Sequence, residues 1–297
     1  MTSAPDILCI GSVLWDIIGR TPVHMAAGAD VPGRITRLPG GVAMNIAMTL
    51  ARFGLRPALL TAIGRDAEGD ALIAEAARLG LDCGHVYRSD DLPTDRYMAI
   101  EGANGLIAAI ADAHSLEAAG DKILRPLLDG ALGRPGAYWR GPVALDGNLT
   151  LSLLADIAAS TAFHEADLRI APASPGKAER LVPLLPLTNA TIYVNLEEAG
   201  IICQRRFASA AEAANGLIDR GARRVLVTDG ARRAADGAPN GIVQADPPPV
   251  LVTRVTGAGD TFMAAHIAAE RRGRNREQAL AEALDAAALH VSGDIGS

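Results

Sequence analysis

Short apolar runs that stop at glycine alternate along this chain with stretches of helical spacing, and that rhythm restricts the fold more than any other feature. Ile7 to Ile10, within DILCIG, is apolar at every position before Gly11, as a strand buried on both faces must be. Asn45 to Phe53 has helical spacing and stops at Gly54, a natural C-terminal cap. Ala58 to Ile63 reads as a second strand, and Asp70 to Leu79 as a helix ended by Gly80. Further strand-like runs lie at Ala137–Trp139, Leu168–Ile170, Ile192–Val194 and Val225–Thr228, with helical stretches between them and a helical segment from Thr261 onward. Strands alternating with helices predict an α/β fold, a mostly parallel sheet covered on both faces. Pro32–Leu38 and Arg96–Ala111 break the rhythm as β structure without intervening helices, and Ala103-Asn104-Gly105 carries an Asn-Gly hairpin signal. A small antiparallel β lid, formed from about 12–38 and 94–112 of one domain spanning 1–297, accounts for both. Pro247-Pro248-Pro249 reads as a loop.

Composition removes several classes of function. The 297 residues carry a net charge of −6, which argues against a nucleic-acid or anionic-membrane partner. No apolar run reaches the roughly 18 residues of a membrane span. MTSAPDILCIG has no basic region before its apolar stretch, so no secretory signal is expected and the location is cytoplasmic. Cys9, Cys83 and Cys203 are odd in number and far apart, which fits a reducing compartment. Only two lysines exist, Lys122 and Lys177, and neither sits in a GxxxxGK[ST] loop, which excludes a Walker-type site. No G-x-G-x-x-G follows a strand, and His24, His85, His114, His164, His266 and His290 show no metal-ligand spacing.

Three segments carry chemistry. In Val255-Thr256-Gly257-Ala258-Gly259-Asp260-Thr261-Phe262, glycines allow close backbone approach to a ligand. The helix that follows aims unpaired N–H groups and a positive dipole end at the same place, so the expected guest is an anion such as a phosphoryl group. Asp260 would repel that guest unless it accepts a proton from an attacking hydroxyl, as a general base. A helix cap with an acidic first turn explains the same residues. Gly40-Gly41 leads into a helix whose first turn presents Asn45, a donor and acceptor suited to sugar hydroxyls. Asp16 follows the first strand at Gly11-Ser12, where open α/β sheets bind ligands.

Taken together and in this order, these segments resemble the ribokinase-like sugar kinases of the phosphofructokinase-B type, over essentially the whole chain. That resemblance implies a ribokinase-like three-layer α/β/α body with a β lid. It also implies ATP and Mg2+, and a small nucleoside or sugar as acceptor. By the same resemblance Asp260 is the base, and Gly257, Ala258 and Gly259 form the anion hole. Ser12, Asp16, Gly41, Asn45, Thr94 and Asp112 surround the acceptor. Asn195, Thr228, Gly230, Gly257 and Gly259 meet the nucleotide, and Glu198, four residues into Asn195-Leu196-Glu197-Glu198, organises a magnesium–water–phosphate network. Two departures stand out. Arg254 occupies the place of an aspartate that belongs to a monovalent-cation site in many members, which counts against potassium activation. The turn Asp229-Gly230-Ala231-Arg232 lacks the family's second glycine.

Within the family the chain is most similar to the pseudouridine kinases. The similarity lies in Val31-Pro32-Gly33-Arg34-Ile35, Thr94-Asp95-Arg96-Tyr97-Met98-Ala99-Ile100 and Ile110-Ala111-Asp112. It implies transfer to the 5′-hydroxyl of a C-glycosidic nucleoside. Ribose, adenosine and fructose 6-phosphate stay open as acceptors, the last because Arg34, Arg37 and Arg96 could supply a basic cluster. A non-catalytic nucleoside-binding scaffold is the rival from another class. The exposed edge of the lid favours a homodimer.

Overall fold

The computed structural model describes residues 4–26, 28–253 and 256–293. Its main sheet has eight strands in the order β14-β13-β12-β11-β10-β9-β1-β4. These are β1 (Ile7–Ile10), β4 (Pro57–Leu60), β9 (Pro142–Asp146), β10 (Asp167–Ala171), β11 (Ala190–Asn195), β12 (Arg224–Asp229), β13 (Arg232–Ala238) and β14 (Gly241–Ala245). Pairing is parallel from β4 across to β12, and β13 and β14 extend that edge antiparallel.

Alternate residues of each strand feed two separate cores, as a pleat of period two requires. Leu8, Ile10, Val143, Leu145, Leu168 and Ile170 join one cluster with α4 (Leu151–Ala159), α5 (Leu196–Cys203) and α6 (Ala210–Asp219). Ile7, Cys9, Ala144 and Leu226 join the other with α1 (Val42–Arg52), α2 (Ala67–Arg78), α7 (Ala258–Arg271) and α8 (Arg276–Ser292). The chain leaves β1 toward β4 by way of α1 and later leaves β9 toward β10 by way of α4, on the opposite face. The strand order therefore reverses at β1 and β9, and the crevice at their carboxyl ends is where such sheets hold ligands.

A second sheet, of four strands in the order β3-β2-β7-β8, stands beside that crevice. It consists of β2 (Leu14–Arg20), β3 (Arg34–Gly40), β7 (Arg96–Gly102) and β8 (Gly105–Asp112). Its middle pair β2–β7 is parallel and the flanking pairs are antiparallel. The β7–β8 turn is made by Ala103 and Asn104, with Gly105 at φ 93°. Strands β5 (Ala62–Gly64) and β6 (Tyr87–Ser89) form a small parallel pair, and α3 (His114–Ala119) follows the second sheet.

The strand expected at Ala137–Trp139 is instead a turn closed by an isolated Arg134–Ala137 bridge, and the strand is β9 just after it. Tyr138 and Trp139 pack on the outside of the first core, while Pro142–Asp146 is buried at every position. The helix expected from Asn45 begins at Val42. Below α7, Arg169 bonds Asp167, Glu270 and the Tyr193 hydroxyl; Arg224 bonds Glu270 and Asp236; and Tyr193 meets His266 at 2.8 Å. This network ties α7 to β10–β13. Among the described residues no helix is long and apolar enough to cross a membrane.

Candidate active site

The crevice is built from the end of β1. Gly11 has φ 151°, and a Cβ there would lie 2.2 Å from Cβ of Asp146, so only glycine lets β1 and β9 close at this height. Asp146, fully buried at the end of β9, accepts from the Ser12 backbone N–H at 2.7 Å and the Ser12 hydroxyl at 2.5 Å. Ser12 Oγ in turn accepts from Val42 N–H and from the Asn148 amide, both at 2.9 Å. Ser12 thus satisfies an orphan donor of α1 that the helix's own N-cap, Gly41, cannot. Gly41 has φ 94°, and a Cβ on it would stand 2.5 Å from the Ser12 carbonyl oxygen.

Two carboxylates and one amide face each other across this floor. Asn45, in the first turn of α1, donates from Nδ2 to Asp260 Oδ2 at 2.9 Å. Asp260 lies in the first turn of α7, whose N-cap is Gly257 at φ 83°. Desolvation pushes the Asp260 carboxyl up to about 7; the Asn45 bond opposes that, and the charges of Asp146, Asp16 and Glu198 add to it. Asp16 is on β2, and desolvation pushes it up to about 6. Gly40 packs so closely that a Cβ there would fall 2.1 Å from Asp16 Oδ2. The loop before α7 is braced by His290 of α8. Its Nε2–H donates to the Thr256 carbonyl at 2.8 Å, and its Nδ1 meets the Thr261 hydroxyl at 3.2 Å.

The neighbouring strand ends hold the residues expected to meet a nucleotide. Asn195 caps α5, and Glu198 answers it in a capping box: Glu198 N–H donates to Asn195 Oδ1 at 2.9 Å and Asn195 N–H to Glu198 Oε2 at 2.8 Å. Burial pushes the Glu198 carboxyl up to about 7. Thr228 is the register partner of Asn195 on β12, and Gly230 turns the chain at φ 58°. Among the described residues no cluster of three or more metal-type ligands occurs. Glu198 is the carboxylate at these strand ends, with Oε2 accepting from Asn195 N–H; a magnesium ion held there would keep its waters and phosphate oxygens.

The structure brings Ser12, Asp16, Gly41, Asn45 and Gly257–Asp260 to one crevice and Asn195, Glu198, Thr228 and Gly230 to the strand ends beside it. Thr94 and Asp112 make other contacts. Thr94 is buried, with its hydroxyl and N–H on Asp66, the N-cap of α2, at 2.6 and 2.8 Å. Asp112 pairs in register with Arg96 and hence with Trp15, on the face of the small sheet opposite Asp16, and it meets His114 at 2.8 Å. Arg254 lies outside the described residues. Sequence reasoning missed Asp146, Asn148 and His290. The first two had a signal, since Asp146-Gly147-Asn148 follows a buried apolar run.

The model of the pfkB family carbohydrate kinases matches residues 4–294. The chain is 32% identical over 155 residues to an uncharacterized sugar kinase, YeiI, of Escherichia coli, covering 52% of this chain and 41% of that protein. It is 28% identical over 100 residues to a pseudouridine kinase of Arabidopsis thaliana, 34% of this chain and 26% of that protein. It is 26% identical over 261 residues to fructoselysine 6-kinase of Escherichia coli, 85% and 89% of the two. The first two of these alignments thus span less than half of each relative's length. A carbohydrate kinase from Agrobacterium tumefaciens superposes with a TM-score of 0.81 at 25% identity, over 99% of this chain and 93% of that one. An Arabidopsis thaliana ribokinase complexed with ribose and ATP shares the fold at a TM-score of 0.76 and 22% identity, over 97% and 93%. Because the family match runs through the crevice and both sheets alike, from residue 4 to residue 294, the chain belongs to the pfkB family of carbohydrate kinases.

Proposed function

We propose that this protein transfers the γ-phosphoryl group of ATP to the 5′-hydroxyl of a nucleoside, pseudouridine being the acceptor, to give the 5′-phosphate. The observation that carries the reading is Asp260, a carboxyl raised to about 7 at the N-terminus of α7 and held by Asn45. A base with that affinity can take a hydroxyl proton near neutral pH as the oxygen attacks phosphorus. Backbone N–H groups of Gly257, Ala258, Gly259 and Asp260 stabilise the charge on the transferring group. Asp16 and Asn45 hold the ribose 2′- and 3′-hydroxyls. Asn195, Thr228 and Gly230 contact the nucleotide, and Mg2+, through Glu198 and water, neutralises its phosphates when bound. The small sheet acts as a lid that keeps water from competing as acceptor.

Of the three arginines that could hold a phosphorylated sugar, Arg34, the register partner of Arg20, shares the face of Asp16, and the other two do not. Arg37 is the register partner of Ile17, on the face away from Asp16, where it stacks on Trp15 at 4.3 Å and bonds Glu68. Arg96 shares that face with Trp15.

The test is ADP release with pseudouridine, uridine, ribose, fructose 6-phosphate and fructoselysine offered in parallel. Highest kcat/KM for pseudouridine supports the reading. A preference for fructose 6-phosphate or fructoselysine removes the nucleoside, and no ADP release with any of them favours the non-catalytic scaffold. We also propose a homodimer through the outer face of the lid. Ile35, Met98, Ile100 and Ile110 share that face by register and are exposed. Ile110→Lys would then convert a dimer to a monomer in size-exclusion chromatography with light scattering; a wild-type monomer refutes the proposal.

A further inference from the structure

One cation at this crevice hydrogen-bonds a neutral group in place of a carboxylate. Lys177 follows β10 and is half-buried, and its ammonium donates to a neutral group, Asn148 Oδ1, at 2.6 Å. Among the described residues it forms no ion pair; burial and then the charge of Arg180 lower its proton affinity, against the opposing charges of Asp146 and Glu117 farther off. Its neighbour Arg180 is committed to Glu117 Oε1 and to the carbonyls of Asn148 and Leu149 at 3.0–3.1 Å. The chain's other lysine, Lys122, sits over the Tyr87 ring. A half-buried ammonium whose hydrogen bond goes to a neutral amide can be held more tightly by the anionic oxygens of a guest.

The strand order says which guest. Thr228 and Asn195 end β12 and β11, while Ser12 and Asp146 lie at the ends of β1 and β9. β10 stands between the two groups. Neighbouring strands are about 4.8 Å apart, so a group passing from β11 to β1 crosses roughly 14 Å, with the β10 loop on its path. Asn148 also donates to Ser12 Oγ, so the lysine is tied to the floor of the crevice through one amide.

We infer that Lys177 is a substrate-contacting residue that binds the phosphate chain of the donor nucleotide, exchanging Asn148 Oδ1 for non-bridging oxygens of the group in transit. The inference rests on the phosphotransfer reading above. In that step the acceptor hydroxyl gives its proton to Asp260 and its oxygen bonds to the γ-phosphorus. The bond from that phosphorus to the bridging oxygen breaks, ADP leaves with the electron pair, and Lys177 keeps all its protons.

The experiment measures binding of the β,γ-imido analogue of ATP, with Mg2+, and of AMP by calorimetry. It uses the full chain as wild type, Lys177→Met and Lys177→Arg, alongside steady-state kinetics. Lys177→Met should lose about ten- to hundredfold in affinity for the ATP analogue, the worth of a charge-assisted hydrogen bond. Its AMP affinity, acceptor KM and melting temperature should stay unchanged, and kcat should fall at least as far as the analogue's affinity. Lys177→Arg keeps the charge with another geometry and should recover most of the affinity but less of kcat. If Lys177→Met does not fold, Lys177→Gln takes its place with the same expected losses. Wild-type affinity and kcat in the uncharged variants overturn the assignment and leave the kinase reading standing. Equal losses for AMP and the analogue also overturn it, since they mark a structural role. A wild type that binds the analogue no better than AMP and releases no ADP overturns both.

Discussion

Replacing Asp260 by asparagine should lower activity and raise stability at the same time, and the two effects have one cause. The carboxyl is raised from its ordinary 3.8 to about 7, first by desolvation and then by Asp146, Asp16 and Glu198. Between those two values the folded protein binds more proton than the unfolded chain, so this group's contribution to stability falls as pH rises through that window. Above about pH 7 the full penalty is present, with an upper limit of about 4 kcal/mol at roughly 1.4 kcal/mol for each tenfold change in proton affinity. Asparagine keeps the shape and the contact with Asn45 but carries no charge, so the penalty disappears. For a chain of this size, Asp260→Asn should melt about 2–5 °C higher than wild type at pH 8, with the gain shrinking as pH drops toward 5. Phosphoryl transfer should fall about 10²–10⁴-fold, the usual worth of a general base, while acceptor binding persists. Differential scanning calorimetry at pH 8 and 5.5, with ADP-release kinetics at saturating acceptor, measures both. Turnover within a few-fold of wild type refutes the base. A melting gain that is the same at both pH values, or absent, refutes the electrostatic origin of the raised carboxyl.

The same carboxyl sets the pH profile. The rate should climb with pH and level off above about 7, as the Asp260, Asp16 and Glu198 cluster loses protons. Asn45→Ala removes the one contact that favours the ionised form and should move that limb to higher pH; a fixed limb contradicts the coupling. Gly40→Ala puts a methyl 2.1 Å from Asp16 Oδ2, so acceptor KM should rise about tenfold or more with the ATP KM unchanged, as steady-state kinetics would read. Arg169→Met leaves Asp167 and Glu270 short of a buried partner. It should cost about 3 kcal/mol in urea unfolding, and an unchanged midpoint would mean that the network below α7 bears no stability.

The parallel body was legible because burial on both faces leaves a local trace. Ile7 to Ile10 and Val225 to Thr228 needed no knowledge of their neighbours to be read as strands. β9 was misplaced because the aromatic pair Tyr138-Trp139 drew attention from Pro142–Asp146, whose burial follows only from its position between β1 and β10. The crevice divided in the same way. Gly257 to Asp260 and Asn45 carried their own signatures in glycines and helix starts. Thr94 and Asp112 were adjacent to the right motifs, but a motif does not reveal which face of a strand a side chain takes; pairing parity does, and it turns Asp112 away from Asp16. Lys177 was invisible as a site residue because its environment comes from Asn148 and Ser12, 29 and 165 positions away in the sequence.

Asp16 belongs to β2, a strand of the cover, whereas Asn45 and Asp260 belong to the body. On the proposed reading the grip on an acceptor is divided between two pieces of architecture, and Gly40 joins them by ending β3 beside Asp16 one residue before the cap of α1. Any tilt of the β2–β3 ladder carries Asp16 with it and resets its distance to the other two groups. Selectivity among alcohols of similar shape then becomes a matter of hinge mechanics as well as pocket chemistry. Substitutions far out on the ladder could retune which molecule is phosphorylated without touching a single group that contacts it.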